Sequence, residues 1–298
     1  MRRLALLVPL LVAVAPLAAQ SDTTTIQVIP VRSGVYLLMG SGGNIGVSIG
    51  DDAVFLIDDQ FAPLSTKIMA AVKTISDKPI KFLLNTHWHG DHTGGNENFG
   101  TAGAVIVAHD NVRQRMSVDQ FMARFNQTVK ASPKVALPVV TFNEMVTFHL
   151  NDEDIHAIHV KNAHTDGDAV VHFVKANAMH MGDTFFNGMY PFIDLGSGGS
   201  INGVIAAVAT GLTYANDETK IIPGHGPLAT RADMVAYREM LVGVKTAVQR
   251  LVTQGKSLKQ TLAAKPTAKW DAKWGGGFMK PDDFVTTVYE DLSKKPSK

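Results

Sequence analysis

Hydrophobic and polar positions alternate along the first part of the chain in a pattern that predicts β-strands. Four β-rich segments, residues 26–30, 34–39, 45–49 and 53–58, are separated by glycine, serine and aspartate. Short alternating runs bounded by such residues are typical of strands joined by tight turns, so an antiparallel meander is expected. The glycines between these runs are interpreted as turn residues and not as a nucleotide loop, because no helical pattern follows them.

Helical spacing of apolar positions alternates with further strand-like runs over the rest of the chain. Helices are predicted for residues 63–75, 111–129, 201–214 and 232–254, and strands within 80–84, 104–108, 147–160, 169–174 and 220–222. Ser200 is interpreted as the N-cap of the helix that follows it. This mixture predicts an α/β fold, a four-layer αβ/βα sandwich of two mixed β-sheets with outer helices.

The boundaries of the folded part follow from both ends of the sequence. Residues 1–20 combine Arg2 and Arg3, an apolar run and two alanines before Gln20, as in a cleavable signal peptide. Residues 21–298 contain no linker-like segment and are predicted to form a single domain with a C-terminal helical extension. The protein is therefore expected to be periplasmic or secreted, with no stable membrane association after cleavage.

Composition excludes several classes of function. The 298 residues are 45% hydrophobic and 18% charged, with a formal net charge of +1 and no cysteine. A near-neutral chain of this kind does not favour nucleic acid as a partner, and the expected partner is a small-molecule substrate. Because cysteine is absent, any metal site has to use histidine and carboxylate ligands.

The segment LLNTHWHGDHTGG places three histidines and an aspartate directly after the strand predicted at residues 80–84. In an extended segment alternate side chains share one side, so His87 and His89 can address one point. After the turn at Gly90, Asp91 and His92 can address a neighbouring point. The loop alone therefore predicts two adjacent metal sites that need further ligands.

Three more side chains of the required type follow other predicted strands. His164 lies in NAHTDGD, Asp183 in MHMGDTFF and His225 in IIPGHGPL. Side chains at the carboxyl ends of strands converge on one edge of a sheet, where sites of layered α/β folds lie. Imidazole and carboxylate suit zinc, and iron and manganese accept the same ligands.

These motifs, in this order, resemble the metallo-β-lactamase superfamily over about residues 26–228. The resemblance implies the four-layer fold and two zinc ions per chain, with iron or manganese as alternatives. It implies that His87, His89 and His164 bind the first ion, that Asp91, His92 and His225 bind the second, and that Asp183 bridges both. The other histidines match no motif and are interpreted as structural or exposed, with His109 the least secure because it also follows a strand.

The chemistry implied by the resemblance is hydrolysis by a hydroxide shared between two metal ions. Asp91 would orient that hydroxide or carry its proton, and Tyr190 would donate a hydrogen bond to a substrate oxygen. A small ester, lactone, lactam or phosphoester is the expected substrate, with β-lactam hydrolysis placed first and a general lactonase or esterase activity next. Phe186 stands where one class of lactamases has a lysine that anchors the antibiotic, and Asp183 replaces their cysteine.

Two alternatives belong to other functional classes. One is a mononuclear iron enzyme similar to sulfur dioxygenases, and the other is a non-hydrolytic periplasmic metal or redox relay protein. Residues 115–140 also allow two interpretations, since their apolar residues and prolines fit either a surface helix with a loop or a lid over a cleft.

Overall fold

Seven strands form the first of two large sheets in the computed structural model, which describes residues 23–294. In order across the sheet they are β1 (Gln27–Arg32), β2 (Val35–Met39), β3 (Ile45–Ser48), β4 (Val54–Ile57), β5 (Ile80–Leu84), β6 (Val105–His109) and β9 (Val140–Phe142). The first four pair antiparallel, which confirms the predicted meander, and β4, β5, β6 and β9 pair in parallel. The predicted signal peptide lies outside the described residues.

Six strands form the second sheet. They are β10 (Met145–Leu150), β11 (Glu153–His159), β12 (Ala169–Phe173), β13 (Ala178–His180), β14 (Lys220–Ile222) and β15 (Ala229–Thr230). Only β13 and β14 pair in parallel within this sheet. Both sheets are therefore mixed, as predicted.

The helices described in residues 23–294 lie outside the two sheets. They are α1 (Ser65–Lys73), α2 (Gly90–Thr93), α3 (Asn96–Thr101), α4 (Asp110–Met116), α5 (Ile201–Tyr214), α6 (Arg231–Thr253), α7 (Leu258–Ala263), α8 (Asp271–Trp274) and α9 (Pro281–Ser293). The Ser200 side chain accepts a hydrogen bond from the Gly203 backbone N–H, which confirms the predicted N-cap of α5. Within residues 23–294, no helix has the length and apolar character needed to cross a membrane.

Alternation along the strands builds the four layers. On β2, Leu37 packs between the two sheets, whereas its neighbour Leu38 packs under α1 on the outer face. Successive side chains of a strand point to opposite faces, so a strand buried on both faces serves two cores. A third apolar cluster joins α5, α6 and α9 to the outer face of the second sheet. The predicted four-layer sandwich is confirmed.

The helix predicted for residues 111–129 is wrong in its second half. Helix α4 ends at Met116, and the chain then forms a two-stranded hairpin, β7 (Gln120–Met122) and β8 (Gln127–Val129). The turn contains Asn126 in the left-handed region, with φ of 47°, a conformation that a helix interior does not contain. The apolar residues here alternate across strands and do not form a helical stripe.

Parallel strand direction gathers the polar motifs at one edge of the sandwich. Asp58 follows β4, and the histidine-rich loop follows β5. In the second sheet, His164, Asp183 and His225 come after β11, β13 and β14, whose carboxyl ends face the same way. The fold therefore brings together residues that lie up to 167 positions apart in the chain.

Candidate metal centre

The histidine-rich loop is buried and has the alternation expected of an extended segment. His87 and His89 contribute atoms to the same group of side chains. Trp88, between them, packs in a separate apolar cluster with its indole Nε1 donating to Ser197 Oγ at 3.2 Å. His92 follows within the short helix α2. The predicted direction of the two histidines agrees with this arrangement.

The first group of side chains contains His87, His89, His164 and Asp183, all buried. One nitrogen or oxygen of each lies within 4.8 Å of the others. His164 Nε2 is 2.8 Å from His89 Nδ1 and 3.5 Å from Asp183 Oδ2. Four donor atoms from three separate stretches of chain thus surround one point.

The second group contains Asp91, His92 and His225. His225 Nε2 is 3.3 Å from Asp91 Oδ2 and 3.4 Å from His92 Nε2. This group is less enclosed than the first, because Asp91 and His225 are both partly exposed. The residues predicted for the second metal therefore also meet at one point.

Asp183 lies between the two groups and turns a different oxygen toward each. Its Oδ2 is 3.9 Å from His87 Nε2 in the first group. Its Oδ1 is 3.1 Å from His92 Nε2 and 3.4 Å from His225 Nε2 in the second. A carboxylate in this position has the arrangement required of a bridging ligand.

Each histidine of the histidine-rich loop has its outer ring nitrogen held by a residue that the sequence analysis did not identify. His92 Nδ1 donates to Asp58 Oδ2 at 2.8 Å, and His89 Nε2 donates to Asp194 Oδ2 at 3.1 Å. His87 Nδ1 lies 3.1 Å from the Thr86 hydroxyl, which itself donates to Asp58. Such partners fix the tautomer and direction of ligating imidazoles.

His164 is held in the same way, since its Nδ1 donates to the Phe192 carbonyl at 2.8 Å. When both rings are neutral, His89 carries its proton on Nε2 and His164 carries its proton on Nδ1. The two nitrogens that face each other, His89 Nδ1 and His164 Nε2, then carry no proton. His87 Nε2 and Asp183 Oδ1 also have no hydrogen-bond partner among the described residues. Buried polar atoms rarely lack partners, so this donor set fits metal ions at both points.

The protonation states of His87, His164, Asp183 and Asp91 agree with ligand roles. Burial lowers the pKa of His87 well below its usual value and that of His164 to about 4, so both rings are neutral at pH 7. Burial acts in the opposite direction on Asp183, but His225 and His92 outweigh it and hold its pKa well below the usual value. The pKa of Asp91 is about 2, because neighbouring His92 and His225 overcome burial. Burial lowers the pKa of His92 and of His225, but Asp183 and Asp91 outweigh it and raise the pKa of His225 to about 9 and that of His92 well above its usual value, so these two rings would release a proton on binding a metal ion.

Two glycines allow the backbone to approach the ligands closely. A Cβ at Gly43 would lie 2.1 Å from His92 Cε1, and a Cβ at Gly224 would lie 2.1 Å from Asp183 Oδ1. Gly43 lies in the turn between β2 and β3, as predicted. Its contact with His92 adds a reason for glycine that the turn alone does not give.

A cavity of about 450 Å³ opens above the two groups. His89, Asp91, Asp183 and His225 form its polar floor. Its walls are mainly apolar, with five aromatic rings from distant parts of the chain, Phe61, Phe125, Phe186, Phe192 and Phe278. None of the described residues that line it is a lysine or an arginine.

Tyr190 does not line this cavity. It is 1% exposed, its ring stacks on Phe284, and its hydroxyl donates to Asp271 Oδ1 at 2.9 Å. Burial and the hydrogen bond to Asp271 raise the pKa of Tyr190 above its usual value. The Tyr190 hydroxyl is therefore hydrogen-bonded to α8, away from the cavity. The predicted hydrogen bond from Tyr190 to a substrate is wrong for this reason.

His109 also has contacts that account for it without a metal. Its ring stacks on His159 at a centroid distance of 3.7 Å, and its Nδ1 accepts from the Asn111 backbone N–H. Its Nε2 donates to the Asn143 carbonyl at 3.1 Å. Both ring nitrogens are therefore engaged with the backbone, which fits the structural interpretation.

A sequence profile described as the Metallo-beta-lactamase superfamily matches residues 40–228, more than half of the chain. The chain belongs to the metallo-β-lactamase superfamily. All seven clustered side chains lie within the matched range, and they fit the dinuclear metal site of the superfamily. The hairpin β7–β8 also falls inside it, whereas Phe278 lies beyond it.

Relatives within the superfamily carry different names. A hydroxyacylglutathione hydrolase of Polaromonas sp. is 28% identical over 180 residues, which is 59% of this chain and 60% of that protein. A beta-lactamase-like protein 2 homolog of Caenorhabditis elegans is 24% identical over 225 residues, 74% of this chain and 67% of that protein. The chain thus matches about three fifths of the first of these relatives.

Solved structures share the fold at low sequence identity. A metallo-β-lactamase from Pontibacter korlensis has a TM-score of 0.59 at 18% identity and covers 73% of this chain and 99% of its own. A stereoselective inverting sec-alkylsulfatase from Pseudomonas sp. has a TM-score of 0.66 at 16% identity and covers 92% of this chain and 51% of its own. At these identities the likeness demonstrates the fold alone.

Proposed function

We propose that the protein is a hydrolase that binds two zinc ions and cleaves a small ester, lactone or lactam. The observation that carries this proposal is the position of Asp183, whose two oxygens face two separate groups of ligands at the floor of a cavity. A single metal ion does not require both groups. Two ions at these positions would leave an open side toward the cavity for a substrate.

When bound, two such ions lower the pKa of water so that hydroxide becomes available and polarise the oxygen under attack. The chain's own residues supply the geometry and the proton transfer. Asp91 Oδ2 lines the cavity beside His225 and is the carboxylate best placed to hold or move a proton there. Asp58 and Asp194 keep the imidazoles of His92 and His89 turned inward.

The lining of the cavity favours uncharged substrates over anionic ones. The family includes relatives named for hydrolysis of hydroxyacylglutathione, an anionic thioester, and others named for β-lactams. A negative group away from the reaction centre would find no basic side chain among the described lining residues. Loss of its hydration would then be uncompensated, which disfavours both glutathione and a carboxylate anchored by lysine.

The iron dioxygenase alternative uses fewer of these residues. It needs one metal site, yet Asp91, His92 and His225 also meet at one point beside the first group. A metal relay protein, in turn, does not require an apolar cavity over the two ligand groups. Export to the periplasm stays a prediction of the sequence and is the compartment in which we place this hydrolase.

The substrate class is tested by kcat/KM on zinc-loaded mature protein with four substrates. These are a chromogenic cephalosporin, an aliphatic lactone, a p-nitrophenyl ester and a hydroxyacylglutathione. We expect at least one uncharged lactone or ester to exceed about 10⁴ M⁻¹s⁻¹, the lower end of ordinary enzymes, with loss of activity on chelation. Oxygen uptake with a persulfide and no hydrolysis of any substrate would support the iron alternative instead.

A further inference from the structure

The roof of the cavity is built largely by the hairpin β7–β8. Met122, Gln127 and Val129 line the cavity, whereas Phe121 and Thr128, which pair with each other across the hairpin, do not. Opposite faces of a two-stranded hairpin alternate in this way. The hairpin therefore presents one face to the cavity and leaves the ring of Phe121, 62% exposed, on the outside.

The tip of the hairpin reaches across to two other parts of the chain. Phe125 lies in that tip, with its ring centroid 5.5 Å from Phe192 and 6.1 Å from Phe278. The backbone carbonyl of Phe192 accepts the hydrogen bond from His164 Nδ1, and Phe278 lies between α8 and α9 in the C-terminal helical region. Phe125 thus connects the metal-site loop with a segment outside the part matched to the superfamily.

An ion pair joins the same tip to the C-terminal region. Arg124 Nη2 lies 2.8 Å from Asp283 Oδ1, in the first turn of α9. Because both side chains are more than one third exposed, this pair is a weak restraint. The pair helps to hold the tip over the cavity, and neither of its charged side chains lines the cavity.

Two aromatic rings of the roof are more exposed than the rings of a protein core usually are. Phe125 is 41% exposed and Phe278 is 64% exposed. Exposed aromatic groups arranged around a cavity are typical of a binding surface that an apolar ligand completes. Since acidic and imidazole groups are confined to the floor, the two ends of the cavity differ in chemistry.

We propose that this roof binds an uncharged apolar group of the substrate, at least the size of an aromatic ring, and that Phe125 is the main specificity-determining residue. The inference rests on the proposed function for the reacting end of the substrate. The inference itself concerns the opposite end of the substrate, which contacts the roof of the cavity and not the metal-binding side chains. Phe125→Ala removes a ring that contacts the substrate, whereas Phe121→Ala removes a ring of the same hairpin that faces outward.

The test uses a pair of fluorescent probes that are not hydrolysed. N-phenyl-1-naphthylamine is uncharged, and 8-anilinonaphthalene-1-sulfonate has the same aromatic system with an added sulfonate. Dissociation constants are measured by fluorescence titration on zinc-loaded parent, Phe125→Ala and Phe121→Ala proteins. We expect the uncharged probe to bind about tenfold more weakly to Phe125→Ala, the scale of one lost aromatic contact. Binding to Phe121→Ala should stay within about twofold, because that ring lies outside the cavity.

The sulfonated probe should bind the parent protein at least about tenfold more weakly than the uncharged probe, since the cavity wall offers its charge no partner. Equal binding of the two probes, or equal effects of the two phenylalanine variants, would overturn the inference. If no ester, lactone or lactam is hydrolysed but the probes behave as expected, the proposed function fails and the apolar roof stands. If a substrate is hydrolysed but the probes do not show this pattern, the proposed function stands and the inference about the roof fails.

Discussion

Replacement of Asp183 by alanine is expected to lower kcat/KM for ester or lactam hydrolysis by roughly 10³-fold or more. Among residues 23–294, Asp183 is the one carboxylate whose oxygens face both ligand groups, so its loss disturbs both metal positions. Metal ions contribute several kcal/mol to such reactions, and each 1.36 kcal/mol is a factor of ten in rate. Zinc content, measured by mass spectrometry on desalted protein, should fall in the same variant.

The matched control is Asp217→Ala, which removes a carboxylate that is 95% exposed and paired only loosely with Arg231. That variant should keep its zinc and its kcat/KM. Both variants should retain the circular dichroism spectrum of the parent protein, since neither removes apolar core contacts. An Asp183→Ala protein that binds zinc and turns over substrate like its control would contradict a bridging role.

Replacement of Asp91 by asparagine should separate turnover from metal binding. We expect kcat to fall roughly 10²-fold or more, because proton transfer by a positioned carboxylate contributes that much and an amide cannot supply it. His92 and His225 remain in the second group, and the first group is complete without Asp91, so zinc loss should be smaller than in Asp183→Ala. The measurement is kcat beside zinc content for both variants.

The pH profile of kcat provides a further readout on Asp91, because a structural role would leave its shape unchanged. A variant with parent-like kcat over the whole profile would exclude proton transfer by Asp91. A variant that loses both zinc and activity as completely as Asp183→Ala would assign Asp91 to metal binding alone. The expected result lies between these, with most of the zinc kept and most of the turnover lost.

Motifs at strand ends made much of this site predictable. His87 and His89 follow β5 in an extended segment, and alternation alone puts them on one side. Asp183 and His225 each follow a short apolar strand, and strand direction carries them to a common edge. The layered fold followed from similar local patterns, since most strands and the helices α5 and α6 were recognised within one or two residues.

The residues that orient the ligands were not recognisable in the same way. Asp58, which is followed by Asp59, and Asp194 lie in segments without a motif, and their role depends on contacts 34 and 105 positions away. Asp58 did carry one usable signal, because it ends strand β4 as the ligands end theirs. Asp194 carried none, since its loop is shaped by tertiary contacts.

Misassignment of the hairpin has a physical cause. Its apolar residues, Phe121, Met122 and Phe125, fit helical spacing when the chain is considered alone. In the structure Phe121 and Met122 lie on β7 and Phe125 lies in the turn that follows, and of these three only Met122 and Phe125 reach the cavity. Tyr190 was misassigned for a related reason, because its partner Asp271 is 81 positions away.

Zinc titration into chelator-treated protein, with bound zinc and hydrolysis recorded on the same samples, tests the central claim most directly. Two groups of ligands joined by Asp183 predict that bound zinc rises to two ions per chain and that hydrolysis rises with it. Hydrolysis that persists in the metal-free protein would contradict the account. So would full occupancy at one ion per chain, because it would leave Asp91, His92 and His225 without the role proposed for them.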